Sequence, residues 1–155
     1  MTQEQKQLLL IDLCARLPYG VKCQVQEDEF TYIGTLCKLE IDNTNGNLLD
    51  FAESVSGLEW QVYLSEVKPY LFPLSSMTDE QCEELNNLIH EHFILDDGFN
   101  EGISFKTYGD ILVWLDEKPI NQCYFIFDYF NKNHLDYREL IPMSLALDAT
   151  GINVY

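Results

Sequence analysis

Val21-Lys22-Cys23-Gln24-Val25-Gln26 switches the hydrophobic period of the chain from helical to two. Val21, Cys23 and Val25 alternate with polar neighbours, the pattern of a strand with one buried face. The acidic run Glu27-Asp28-Glu29 reads as a turn. Phe30 to Ile41 is then rich in β-formers, with Ile33, Leu36, Leu39 and Ile41 apolar and Gly34 as a candidate bulge. Asp42-Asn43-Thr44-Asn45-Gly46-Asn47 is a turn cluster in which Asn45-Gly46 favours a primed hairpin turn. Leu48 to Phe51 reads as a short strand, and Leu58, Trp60, Val62 and Leu64 alternate with polar or amphipathic neighbours. Short strands joined by tight turns predict a small antiparallel sheet. Closure into an SH3-like barrel would remove its exposed edges.

Helices flank this block. Thr2 with Gln5 forms a capping-box pattern, and Leu9, Leu10, Leu13, Cys14 and Leu17 recur at helical spacing, predicting a helix over about 3–16 that Pro18 and Gly20 stop. Residues 68–77 read as a proline-punctuated connector leaving the sheet. Thr78 with Gln81 repeats the capping box. Cys82, Leu85, Leu88, Ile89, His92 and Phe93 make one stripe, predicting a helix over about 79–93. Residues 103–117 fit strand or helix equally, because so short an apolar run carries no decisive period. Pro119 suits a first helical turn, followed by Ile120, Cys123, Tyr124, Phe127 and Phe130 on one face and by Asn131-Lys132-Asn133 as an end. Asp136 then caps a short turn through Leu140, stopped by Pro142. The expected fold is a single α+β domain over 1–155. It has an N-terminal helix and a small antiparallel sheet in 1–77, and a mainly helical part in 78–155.

Charge bounds the function. The chain holds 26 acidic and 9 basic residues, a formal net charge of −17, yet it is 46% hydrophobic and 13% aromatic. Such a chain folds around an aromatic core rather than staying a solvated polyanion. The charge argues against direct nucleic-acid binding, whose phosphates need Lys and Arg, and against an anionic membrane surface. A basic partner protein fits better. The start lacks a secretory pattern, since Asp12 interrupts the apolar run, and no stretch approaches the ~18 apolar residues of a membrane helix. Cys14, Cys23, Cys37, Cys82 and Cys123 are odd in number and form no CxxC, so reduced and mostly buried thiols are expected, consistent with a cytoplasmic location.

Two phrases carry a resemblance. Lys68-Pro69-Tyr70-Leu71-Phe72-Pro73-Leu74-Ser75-Ser76-Met77-Thr78 and Asn133-His134-Leu135-Asp136-Tyr137-Arg138-Glu139-Leu140-Ile141 resemble segments of a group of small acidic proteins of gut bacteria and their phages. Similar chains share the opening helix, the sheet and the tail Leu145-Ala146-Leu147, at low identity outside the two phrases. That group is uncharacterised, so the resemblance implies no catalytic role; it implies a prophage or mobile-element context.

Three constellations could carry chemistry. His90-Glu91-His92 invites a metal, with Asp96 and Asp97 nearby, but on a helix residues two apart differ by about 200° and the imidazoles face apart. No metal and no cofactor is expected. Eight carboxylates and no Lys or Arg lie between Lys68 and Lys106. Asp79, Glu80, Glu83, Glu84 and Glu91 mostly avoid the apolar stripe and form a candidate binding face. Such a face can steer a basic partner, or simply keep the protein solvated. His134, Asp136, Tyr137 and Arg138 are the densest polar cluster. They read either as a hydrogen-bonding site with Arg138 for an anion, or as a turn in which Asp136 caps, Tyr137 packs and Arg138 pairs with an acid. Ser75 and Ser76 lack a GxSxG elbow, and no glycine-rich phosphate loop is present. The expected function is a non-enzymatic acidic protein–protein interaction module engaging a basic host or phage protein. The alternative is a small hydrolase or metal-dependent enzyme using His134 with Asp136, or His92 with Asp96 and Asp97.

Overall fold

Helix α1 (Gln3–Arg16) starts at the expected capping box, in which Thr2 Oγ1 accepts from Gln5 N–H and Gln5 Oε1 accepts from Thr2 N–H. The structure, a computed structural model, describes residues 1–42, 46–52, 59–97, 108–116, 118 and 123–155. A 3-10 turn over Leu17–Tyr19 and Gly20, at φ +63°, end α1 and lead into strand β1 (Lys22–Glu27). Strands β2 (Phe30–Asp42), β3 (Gly46–Ala52) and β4 (Glu59–Tyr63) follow, each antiparallel to its predecessor. The bulge falls between Leu36 and Lys38, while Gly34 pairs regularly with Cys23. Asn45, the first half of the expected hairpin turn, lies outside the described residues.

The proline-rich connector is itself a strand. Residues Val67–Pro73 form β5, antiparallel to β1 with Pro69 opposite Cys23. Prolines are depleted from sheets because they lack an N–H, but their fixed φ suits extended backbone where the ladder does not require a donor. The apolar side chains of Val67, Tyr70 and Leu71 are buried and hold the segment down.

Helices α2 (Asp79–Asp97), α3 (Tyr108–Asp116) and α4 (Tyr124–Lys132) come next. The ambiguous 103–117 segment is thus helical over 108–116, and α2 runs four residues beyond its expected end. Pro119 and Ile120 lie outside the described residues. Two short strands, β6 (Leu135–Asp136) and β7 (Leu147–Asp148), then return to lie parallel to β5. The sheet is therefore mixed, with the order β4-β3-β2-β1-β5-β6 and β7 also on β5. This path is open: among the described residues no pairing joins β4 to β6, so the sheet is not an SH3-like barrel. The fold class is α+β.

The interior has two apolar clusters. One packs Leu9 and Leu13 of α1 on Val21, Cys23, Val25, Leu36, Val67 and Leu71 of the sheet, with Leu140, Leu145 and Ala146 closing it. The other gathers Leu74, Leu85, Ile89, Ile111, Ile126, Phe130 and Leu135 among α2, α3, α4 and β6. Individually, burying a Leu, Ile or Phe side chain contributes about 1.5–3 kcal/mol.

The buried face of α1 is rotated from the expected stripe. Asp12 and Arg16 are buried with Leu9 and Leu13, whereas Cys14 is exposed. No disulfide joins the five thiols, but only Cys23 and Cys123 are buried, Cys82 is half-buried, and Cys14 and Cys37 face outward. Tyr124 also departs from its expected place: it is exposed, and Phe125 and Ile126 take the inward positions of α4.

Candidate functional site

Asp12 and Arg16 sit one helical turn apart and are both completely buried. Arg16 Nε donates to Asp12 Oδ2 at 2.8 Å and Nη2 to Oδ1 at 3.1 Å, a fork that matches the carboxylate. Nη2 also donates to the Leu135 carbonyl at 2.8 Å and Nη1 to that of Phe130 at 3.4 Å. Arg138 Nη1 adds a third donor to Asp12 Oδ1 at 3.2 Å. One carboxylate thus serves two guanidinium groups at the junction of the two apolar clusters. Arg138 lies 4.6 Å and Arg16 5.7 Å from the centroid of the Tyr137 ring, each within cation–π range.

The polar cluster 134–138 packs around this network and divides between separate tasks. Asp136 Oδ1 and Oδ2 accept from the N–H groups of Leu140 and Ile141 at 2.9 and 2.8 Å, so the carboxylate caps the turn and does not orient His134. His134 is buried at φ +53°, its ring stacked 4.1 Å from that of Tyr155. Its Nδ1 has no hydrogen-bond partner. Burial, reinforced by the nearby Arg16 charge, lowers its pKa to about 4, so the ring is neutral at pH 7. Tyr137 packs on Phe127 and Phe130, and burial pushes its hydroxyl up from the ordinary phenol value. Arg138 pairs with an acid as expected, while Lys132 is exposed and forms no salt bridge among the described residues.

An open cleft of about 800 Å³ lies beside this network, lined by Tyr124, Phe125, Phe127, Asp128, Asn131, Tyr137 and Arg138. His134 and Asp136 are not in it. Tyr124, Asp128 and Asn131 stand at i, i+4 and i+7 of α4 and share one face. The Tyr19 hydroxyl donates to Asp128 Oδ1, and this hydrogen bond raises the Tyr19 pKa. Asn131 is 7% exposed, and neither its Oδ1 nor the neighbouring Tyr137 hydroxyl has a well-directed hydrogen-bond partner.

The described acidic side chains of α2 face outward. Asp79, Glu80, Glu83, Glu84 and Glu91 are exposed while Leu85 and Ile89 are fully buried. At about 100° per residue the five carboxylates span an arc of roughly 140° opposite the buried pair. Glu84 is partly committed, since its Oε2 accepts from the Tyr129 hydroxyl at 3.0 Å and ties α2 to α4. His90 is half-buried and His92 exposed, the reverse of what the stripe implies. His92 Nδ1 lies 2.9 Å from the Leu88 carbonyl and its ring stacks on Phe125 at 3.9 Å. The side chains of Asp96 and Asp97 lie outside the described residues. Among the described residues no three His, Cys, Asp or Glu side chains converge as metal ligands would.

Comparison of the chain with family models, with curated proteins and with solved structures finds no match. No helix among the described residues is long and apolar enough to cross a membrane. Sequence reasoning passed over Asp12, Arg16, Asp128 and Asn131. The Asp-x-x-x-Arg spacing was the available signal for the first two, because it places them on the same face as Leu9 and Leu13. Nothing local marks Asp128 and Asn131, whose setting depends on Tyr19 and Tyr137 from distant parts of the chain.

Proposed function

We propose that this protein is a non-enzymatic acidic interaction module that engages a basic partner protein, in keeping with the prophage context its sequence resemblance implies. The supporting observation is the outer arc of α2, where five exposed carboxylates stand with no Lys or Arg anywhere in the helix. Such an array raises the encounter rate with a cationic surface and rejects anionic ones. The adjoining helix α4, joined to α2 through Tyr129 and Glu84, presents the exposed ring of Tyr124 as an aromatic anchor beside the charge. A catalytic reading of His134 and Asp136 gains no support from this geometry, since both oxygens of Asp136 are engaged by backbone amides and the cleft contains neither residue.

The test is affinity capture from bacterial extract with the wild-type protein and with the triple variant Glu80→Lys, Glu83→Lys, Glu91→Lys. Glu84 is spared because it holds Tyr129. The wild type should retain a basic protein at ~0.1 M salt and release it near 1 M, where the screening length falls from ~10 Å to ~3 Å. The variant should retain none. Equal recovery by both proteins, or recovery indifferent to salt, overturns the reading.

A further inference from the structure

We propose that the α4 cleft is a receptor for one arginine side chain, in which Tyr124 stacks on the guanidinium, Asp128 pairs with it and Asn131 accepts a hydrogen bond. This rests on the reading of the protein as a binder of basic partners and names the group such a partner inserts.

Three observations converge on this occupant. Tyr124 is 65% exposed at the cleft although its ring meets those of His92 and Phe125 at right angles, whereas Tyr137 already carries Arg138 and Arg16 against its ring. Open aromatic faces attract cations, and the planar guanidinium also stacks. Asp128 lies one turn along the same stripe. Tyr19 engages its Oδ1 and leaves Oδ2 without a protein donor among the described residues. Asn131, a further turn on, is more than nine-tenths buried and lines the cleft with an Oδ1 that lacks a partner. The stripe from Tyr124 to Asn131 is about 10 Å long, enough to hold an extended arginine side chain. The cleft volume, about 800 Å³, falls in the ~300–1,000 Å³ range of ligand sites.

Arg138 also lines the cleft and raises the opposite possibility, an anion. Asp12 is shared between Arg138 and Arg16, so one positive charge is left over there, but Asp128 at the cleft offsets it, and the acceptor oxygens of Asp128 and Asn131 would face an anion unfavourably. The field of a chain with net charge −17 opposes an anion as well. Lysine fits less well than arginine, because an ammonium neither stacks nor offers a planar fork to a carboxylate and an amide together.

The experiment is an NMR titration of the isotopically labelled full chain with the blocked tripeptides acetyl-Gly-Arg-Gly-amide and acetyl-Gly-Lys-Gly-amide, and separately with inorganic phosphate. The arginine peptide should shift the amide signals of Tyr124, Asp128, Asn131 and Arg138, and the lysine peptide should bind at least ~5-fold more weakly. Asp128→Asn and Tyr124→Ala, both at exposed positions, should each weaken the arginine peptide by ~10-fold or more. Equal binding of the two peptides, unaltered binding by both variants, or shifts produced by phosphate and not by the arginine peptide would each overturn the assignment. The triple α2 variant should bind the arginine tripeptide within ~3-fold of the wild type at ~1 M salt, where the screening length of ~3 Å removes the field of the α2 carboxylates and leaves the cleft contacts. Capture that survives the α2 substitutions condemns the acidic-face reading, whereas a silent tripeptide condemns only the cleft.

Discussion

Asp12→Asn removes one negative charge and almost no volume, and it should be among the most damaging substitutions in the protein. In the wild type the carboxylate takes two hydrogen bonds from Arg16 and one from Arg138, with Asp12 and Arg16 both excluded from solvent. The amide keeps a single acceptor oxygen and no charge, so Arg16 becomes a buried cation without a counter-ion. Breaking a buried pair in this way costs about 3–5 kcal/mol. A domain of this size is stable by about 5–15 kcal/mol, so the loss takes a fifth or more of the margin. At about 2–4 °C per kcal/mol for chains of this length, the melting temperature should fall by roughly 6–20 °C. The assay is thermal and urea unfolding at pH 7, followed by circular dichroism. The double variant Asp12→Leu, Arg16→Met separates charge from packing. It removes the buried Arg16 cation and leaves the Leu135 carbonyl without its donor, at about 1–3 kcal/mol, while the partly exposed Arg138 loses its counter-ion just as it does in Asp12→Asn. It should therefore be more stable than Asp12→Asn alone. A melting temperature for Asp12→Asn within ~2 °C of the wild type, or a double variant less stable than the single one, would refute the argument that an uncompensated charge dominates.

Three further outcomes follow from the same geometry. Because the folded pKa of His134, about 4, lies below its ordinary value of 6.5, the unfolded state binds the proton first as pH falls. Stability should then be full above pH 6.5 and decline towards pH 4, by about 3 kcal/mol at most; His134→Phe, which keeps a ring against Tyr155, should show a shallower decline in urea melts at pH 7 and 4.5. Asp136→Ala leaves the N–H groups of Leu140 and Ile141 without an acceptor and should lose about 2–4 kcal/mol, with Asp136→Asn losing less; equal losses in denaturant titrations would contradict the capping role. Thr78→Ala removes the oxygen that accepts from Gln81 N–H at the start of α2 and should cost about 1 kcal/mol, measured as a lowered urea midpoint at unchanged slope.

Local signals read well where local physics decided the structure. The capping boxes at Thr2 and Thr78 mark the starts of α1 and α2, and the alternation from Val21 marks β1 and β2. Local signals misled where a distant partner decided. Pro69 and Pro73 look like breakers, yet residues 67–73 become a strand because β1, β6 and β7 all pair with it. Those last two strands have two residues each, too short for any period to show. Asp12 reads as an interruption of an apolar run until Arg16 and Arg138 are seen around it. The candidate site was legible only in pieces: the outward acids of α2 follow from their spacing, and Asp136 as a cap follows from its turn. The cleft did not, since Tyr19, Asp128, Asn131 and Tyr137 meet only in three dimensions.

The reach of Arg16 sets an order of assembly. Its guanidinium donates to carbonyls 114 and 119 residues further along the chain, so α1 can coil early but cannot seat its polar face until α4 and β6 have arrived. Closing so long a loop is slow, and contacts of this separation are rewarded only once the entropy is spent. The polar side of α1 is thus among the last parts of the fold to close, whereas its apolar side, Leu9 and Leu13, meets Val21 to Leu36 over short separations and can dock earlier. Until α4 and β6 arrive, Arg16 holds Asp12 but lacks its two carbonyl acceptors.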